Sequence, residues 1–336
     1  MKNNKIYFII FILLLVAVGA LYLNHRNGTI KPELRDFAIQ DTSQVTKIFM
    51  VNKKNKSVTL ERNASQVWMV NQHFIARKDA IDLILKTFKR MDVKSPVSKA
   101  AFDNTVKLLA ATHVKIEIYT NDDSKPEKTI YIGGPTQDMY GTYMMIEGSN
   151  TPFIVHIPGF SGYLSSRFFL NENDWRDCSL FKYAYNDIRS VSLENFKKPS
   201  QSFIANNLGA NQFSLTRFDN KTEVANFDTI RLKQYLGYFK KVGFEKIVEG
   251  MTEEKTDSII NSEPIYNITV KNRNNEETNI KAFLKPGTGL MNYNGEMYEY
   301  DLERMYGQIN GASELVLIQY FVFDILLMDL DYFIRK

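Results

Sequence analysis

Cysteine is almost missing from this chain of 336 residues, with Cys178 the single one. One thiol can neither close an intramolecular disulfide nor furnish a cysteine-based metal site. It lies far from the N-terminal apolar run, so it is not placed for lipid attachment, and it reads as a small buried apolar residue. Histidine is scarce as well: His25, His73, His113 and His156. None is spaced with a second histidine or a carboxylate as a helix-borne zinc motif requires, so no metal and no cofactor is expected. A basic block that could follow a phosphate backbone is also lacking. The 42 Lys and Arg are interspersed with 38 Asp and Glu, which argues against a nucleic-acid partner.

Familiar catalytic signatures are missing too. Gly133-Gly134-Pro135 has no phosphate-loop lysine, and no helix opens directly after it. Ser161, in Gly159-Phe160-Ser161-Gly162, lacks the spacing of a nucleophile elbow. The pairs Asp174/Asp177 and Asp329/Asp331 could carry hydrolysis only if a cleft held them at a defined separation. An enzyme is therefore not expected.

What the chain does have is apolar material: 44% hydrophobic and 13% aromatic residues, ample for packed cores. Lys2 and Lys5 precede an uncharged run, Ile6 to Leu23, with Tyr7 and Tyr22 at its ends. At 1.5 Å per residue such a run is about 27 Å long, close to the bilayer's hydrocarbon thickness. It predicts an uncleaved transmembrane anchor over 1–24, with a polar linker over 25–40. The large domain is then expected outside the inner (cytoplasmic) membrane of a single-pass protein. Near the other end, Leu315–Ile334 is apolar but contains Asp324, Asp329 and Asp331, so a second span is not expected.

Between these ends the pattern alternates and then repeats. Val45–Val51, Ser57–Arg62 and Gln66–Val70 read as strands. Ile81, Ile84, Leu85, Phe88 and Met91 fall at helical spacing within Arg77–Met91, and a second helix covers Lys99–Ala110. His113–Thr120 alternates, with Val114, Ile116 and Ile118 on one face and Lys115, Glu117 and Tyr119 on the other. Thr129–Ile132, Thr142–Ile146 and Phe153–Ile157 follow as strands, with Ser161–Phe169 as a short closing helix. The second half runs in the same order. Phe213 lies 145 positions beyond Trp68, Ile268 lies 152 beyond Ile116, and Ile280 lies 150 beyond Ile130. Pro286-Gly287 echoes Gly134-Pro135, and Asn294-Gly295 is a strong hairpin signal. A near-constant displacement points to an internal duplication. The expected fold is α+β: a transmembrane helix followed by two related β-β-α-β-β lobes, 41–180 and 181–336, on mostly antiparallel sheets.

The run Ile130-Tyr-Ile-Gly133, Gly141-Thr-Tyr143 and Phe153-Ile-Val-His-Ile-Pro158 resembles a bacterial family, domain of unknown function 4340. So do the anchor and the passage from Trp68-Met-Val70 into a helix. Asp36-Phe37 and Asp41-Thr42 resemble members from Bacteroidota. The resemblance covers Asp36 to about Phe181 best and the second lobe more loosely. It implies no catalytic residues; it implies a membrane-tethered extracytoplasmic protein, with an accessory role beside a transport or gliding-type system.

The functional expectation is a non-enzymatic component of an envelope complex with a protein partner. The alternative is a glycan- or peptide-binding protein using a cleft between lobes. Turns shared by both copies are structural, so a special role of the first copy should lie in what the second lacks. Those residues are Gly141, Thr142, Tyr143 and His156, expected to form a partner surface.

Overall fold

The computed structural model describes residue 7 and residues 10–19, 35–121 and 124–335. Residues 10–19 are helical (α1). The chain divides into two compact units, Met1–Asp177 and Cys178–Lys336.

The first unit opens with β1 (Val45–Asn52), β2 (Ser57–Arg62), β3 (Trp68–Val70) and β4 (Phe74–Ile75). Then come α2 (Lys78–Arg90), β5 (Asp92–Pro96), α3 (Lys99–Thr112) and β6 (Val114–Thr120). It closes with β7 (Lys128–Pro135), β8 (Thr142–Ile146), β9 (Phe153–His156) and the short α4 (Glu172–Trp175). Among the described residues these strands form one nine-stranded sheet, in the order β4-β3-β2-β1-β6-β7-β8-β9-β5. Every pairing is antiparallel.

The alternation read from the sequence decides which face is buried. Ile48 and Met50 on β1, Ile116 and Ile118 on β6, and Ile130 and Ile132 on β7 are all shielded from solvent. Against them packs the apolar stripe of α2, Ala80, Ile81, Ile84 and Phe88. Asp79 in the first turn of α2 and Lys89 and Arg90 in the last suit the helix dipole. The other helix, α3, buries Thr105 and Leu109. A Cβ on Gly133 would lie 2.7 Å from Leu109 Cδ2, so the missing side chain is what lets α3 approach β7.

The second unit contains β10 (Ser179–Phe181), β11 (Ile188–Asn195), β12 (Phe203–Gly209), β13 (Gln212–Arg217) and α5 (Thr229–Gly237). Next are β14 (Val242–Gly243), β15 (Lys246–Ile247), α6 (Glu253–Ile260) and β16 (Tyr266–Asn272). Last come β17 (Glu277–Pro286), β18 (Tyr300–Ile309), β19 (Val316–Gln319) and α7 (Tyr320–Phe323). Its main sheet has eight strands, ordered β13-β12-β11-β16-β17-β18-β19-β15. Asp228 caps α5 by accepting from the backbone N–H of Ile230 and Arg231. Phe283, Tyr306, Leu315 and Leu317 form a separate apolar cluster with Ile259 and Ile260 of α6.

Strand order and register coincide between the units. Ile116 stands between Met50 and Ile130, and Ile268 stands between Leu193 and Ile280. Trp68 faces Arg62 as Phe213 faces Asn207. Pro135 pairs with Thr142, and Pro286 with Tyr300. The common module is larger than the expected β-β-α-β-β: three strands, a helix, a strand, a second helix, then four strands.

Other expectations need correction. Among the described residues no helix is long and apolar enough to cross a membrane. Within Ile6–Leu23 the described part is Tyr7 and residues 10–19. The transmembrane helix, the single-pass inner-membrane location and the membrane as partner therefore do not stand. Lys2, Lys5 and residues 25–34 of the expected linker lie outside the described residues. Ser161–Phe169 is not a helix. It holds only a 3-10 turn, Ser165–Arg167, because Gly159 and Gly162 sit at φ +77 and +152. Leu315–Ile334 is a strand followed by short helical turns.

Candidate functional site

The four residues singled out from the sequence divide into two kinds. Thr142 is fully buried, and its Oγ1 accepts from the Leu164 N–H at 2.7 Å, tying β8 to the turn beyond β9. Gly141 is buried as well, and a Cβ there would come within 2.5 Å of Ile154 Cγ2. Both are fixed by packing. Tyr143, which pairs with Ile154, and His156, which pairs with Asp92, are half-buried. They lie two strand positions apart in register on the face away from α2, and no hydrogen bond joins them. Of the carboxylate pairs, Asp329 meets Lys198 at 3.1 Å and Asp331 accepts from Gln201 at 3.0 Å, so these two are engaged separately. Cys178 is half-buried where full burial was expected.

A different surface emerges once the register is known. On the sheet face away from α2, α3 covers β7 and β8, while β2, β1 and β6 stay open. Cross-strand pairing lays out three rows on this face. One row is Glu61, Lys47 and Tyr119. The next is Thr59, Phe49, Glu117 and Thr129. The third is Ser57, Val51, Lys115 and Tyr131. Between the first two rows lies a hollow of about 420 Å³, lined by Lys47, Phe49, Thr59, Asn71, Gln72, Glu117 and Tyr119.

The polar groups here are held in place. Glu117 receives Lys115 Nζ at 2.7 Å on one oxygen and the Tyr119 hydroxyl at 2.7 Å on the other. Burial alone would raise the Glu117 carboxyl, but these two hydrogen bonds outweigh it and hold it below the ordinary carboxylate range. The same bond holds the Lys115 ammonium above its usual value. Tyr131 donates to Glu147 at 3.0 Å, and burial together with that carboxylate raises its hydroxyl. Lys47 stacks over Tyr119 at 5.2 Å from the ring centroid. Asn71 and Gln72 are themselves oriented, Asn71 by the Thr59 N–H at 2.9 Å and Gln72 by Glu61 at 3.2 Å.

At the same positions the second sheet carries no ring. Ser192 stands where Phe49 does, between Ile204 and Thr269. Lys271 replaces Tyr119 and Lys281 replaces Tyr131. Its amides donate to neighbouring hydroxyls and a carboxylate: Asn279 to Thr269 at 2.8 Å, Asn267 to Glu194 at 2.6 Å and Asn206 to Ser214 at 3.1 Å. Inward-facing neighbours stay apolar in both sheets, so the change of chemical character lies on the other face.

Every carboxylate shift that is resolved runs downward, at Asp41, Glu117, Asp138, Asp228, Glu245 and Asp301. A general acid at neutral pH needs the opposite. Among the described residues no three His, Cys, Asp or Glu are grouped to hold a metal. Strand addition is also poorly served. The edge strands β4 and β15 have two residues each, β5 ends at Pro96, and a bridge from Thr216 to Glu223 covers part of β13.

A family model described as "Domain of unknown function (DUF4340)" matches residues 68–261. The chain belongs to the DUF4340 family. The DUF4340 match runs from the first residue of β3 to just past α6, so it takes in parts of both units. It starts at Trp68, later than the Asp36 read from the sequence, and takes in much of the second half that was matched more loosely. No curated protein matches the chain, and no solved structure does. The family's description names no partner, so the expected protein partner in the cell envelope has no support.

The open face was only half legible beforehand. Alternation in His113–Thr120 sets Lys115, Glu117 and Tyr119 on one side, and the same period sets Lys47 and Phe49 together. That β1 lies beside β6 is a pairing between distant segments that no local pattern carries.

Proposed function

We propose that this DUF4340 protein is a non-enzymatic binding module whose first unit takes a neutral saccharide chain on the open face of its sheet. One observation carries the reading. Two units of one topology both keep apolar residues on the inward face, yet at matching positions of the other face the first places Phe49, Tyr119 and Tyr131 where the second has Ser192, Lys271 and Lys281. Sugar rings present C–H faces that pack on aromatic rings, and hydroxyls that need fixed planar hydrogen-bonding groups. Asn71, Gln72 and Glu117 supply the second requirement beside the rings that supply the first. Lys47 and Lys115 interleave with Glu117 and Glu147, a balance that favours a ligand without net charge. A hollow of about 420 Å³ is large enough for a ligand contact, and its open form suits a chain passing across it.

The test is affinity electrophoresis of the whole chain through gels containing neutral soluble polysaccharides of several linkages. Retardation by at least one, lost in Phe49→Ala and Tyr119→Ala, supports the reading. Unaltered mobility in all of them, or retardation that both variants retain, contradicts it.

A further inference from the structure

On the helix-bearing side of the first unit, two arginines from separate segments converge on one turn. Arg90 ends α2, and its Nη2 donates to the Pro158 carbonyl at 3.3 Å. Arg167 comes from the 3-10 turn beyond and lies over the Phe160 ring, 4.4 Å from its centroid. Its Nη1 donates at 2.8 Å to Thr87 Oγ1. That hydroxyl is itself fixed, since Thr87 is fully buried and donates to the Leu83 carbonyl at 2.7 Å. Thr87 and Arg90 are three residues apart and so share one side of α2, which brings the two guanidinium groups to the same corner.

Neither guanidinium has a carboxylate oxygen within 4.0 Å among the described residues. Burial, and after it the charge of Arg90, lowers the affinity of Arg167 for its proton. The dipole of α2 accounts for a cation at its last turn, and so for Arg90. It does not account for a second arginine folded back from another segment and braced by a buried hydroxyl and a ring. Each guanidinium has five N–H donors and uses one of them here. The remaining donors keep the planar fork geometry that matches a carboxylate or phosphate oxygen pair.

We infer that Arg90 and Arg167 form an oxyanion-binding site, taking a carboxylate or a phosphate group of a ligand between their guanidinium groups. The site lies on the opposite side of the sheet from the saccharide face and is independent of it. The experiment follows the arginine Nε–H signals of the whole chain by NMR. Inorganic phosphate is titrated in one arm and acetate in the other, each against sodium chloride at matched ionic strength. Saturable shifts of the Arg90 and Arg167 signals are expected in at least one arm, and the arm that saturates first identifies the class of group. Arg90→Gln, an exposed position whose folding is checked by its melting midpoint in chloride, should weaken the apparent affinity tenfold or more. Absence of a saturable shift in both arms overturns the inference, as does unchanged affinity in the Arg90→Gln protein.

Discussion

Phe49 stands directly opposite Glu117 where β1 meets β6. The corresponding pair in the second sheet is Ser192 and Thr269. Their inward neighbours, Ile48 and Met50 in one sheet and Val191 and Leu193 in the other, are all buried and apolar. The scaffold is thus maintained by one side of each strand, while the other side is free to differ. Replacing Phe49 by Ser should cost only about 1 kcal/mol, the scale of a cross-strand aromatic pair on a half-open face. Ile48→Ala, one position away, should cost about 2–5 kcal/mol. Urea unfolding of the two variants measures the contrast.

Lys285 and Asp301 form an enclosed ion pair, at 2.7 Å with side chains 17% and 4% exposed. Burial pushes the Asp301 carboxyl upward, but Lys285 and the N–H groups of Glu303 and Arg304 outweigh it and hold it below the usual range. A carboxyl depressed in the folded state stabilises the protein above its unfolded pKa, about 3.9, and the contribution fades as pH falls below that value toward the folded one. Asp301→Asn leaves Lys285 without its partner and should cost about 3 kcal/mol at pH 7. Its loss of stability between pH 4 and pH 2 should be shallower than that of the parent. Urea midpoints across this range measure both effects.

Gly133 is set by close approach. An added Cβ would lie 2.7 Å from Leu109 Cδ2 and 2.9 Å from the Tyr143 carbonyl oxygen, and the latter cannot swing aside. Gly133→Ala should lower stability by about 1–3 kcal/mol. Gly134→Ala, where nothing lies within 4 Å, should change it little. Differential scanning calorimetry of the two proteins is the check.

Thr142 separates a structural role from a functional one. Thr142→Val keeps the shape but leaves the buried Leu164 N–H without an acceptor, and should cost about 1–3 kcal/mol. Polysaccharide retardation by the folded variant should match the parent. Loss of retardation in the folded variant would return Thr142 to the binding surface.

Local patterns carried much of the fold and little of the site. The stripe Ile81, Ile84 and Phe88 identified α2, and the alternation of Ile116 and Ile118 identified β6, because periodicity is written within a few residues. Leu164 and Phe168 are four apart and both buried, which mimics a helix, yet the glycines before them bend the backbone into a turn. Gly141 and Thr142 do distinguish the first copy, but packing against Ile154 and Leu164 fixes them. The difference that bears on binding, Phe49 against Ser192, is invisible until both strands are placed in register with distant partners.

The most direct test of the saccharide face is an amide NMR titration of the whole chain with a neutral oligosaccharide chosen by the gel assay. We expect shifts to concentrate at Phe49, Thr59, Gln72 and Tyr119, with Ser190, Ser192 and Lys271 of the second sheet unmoved. Shifts spread over both sheets, or confined to residues away from β1, β2 and β6, would contradict it.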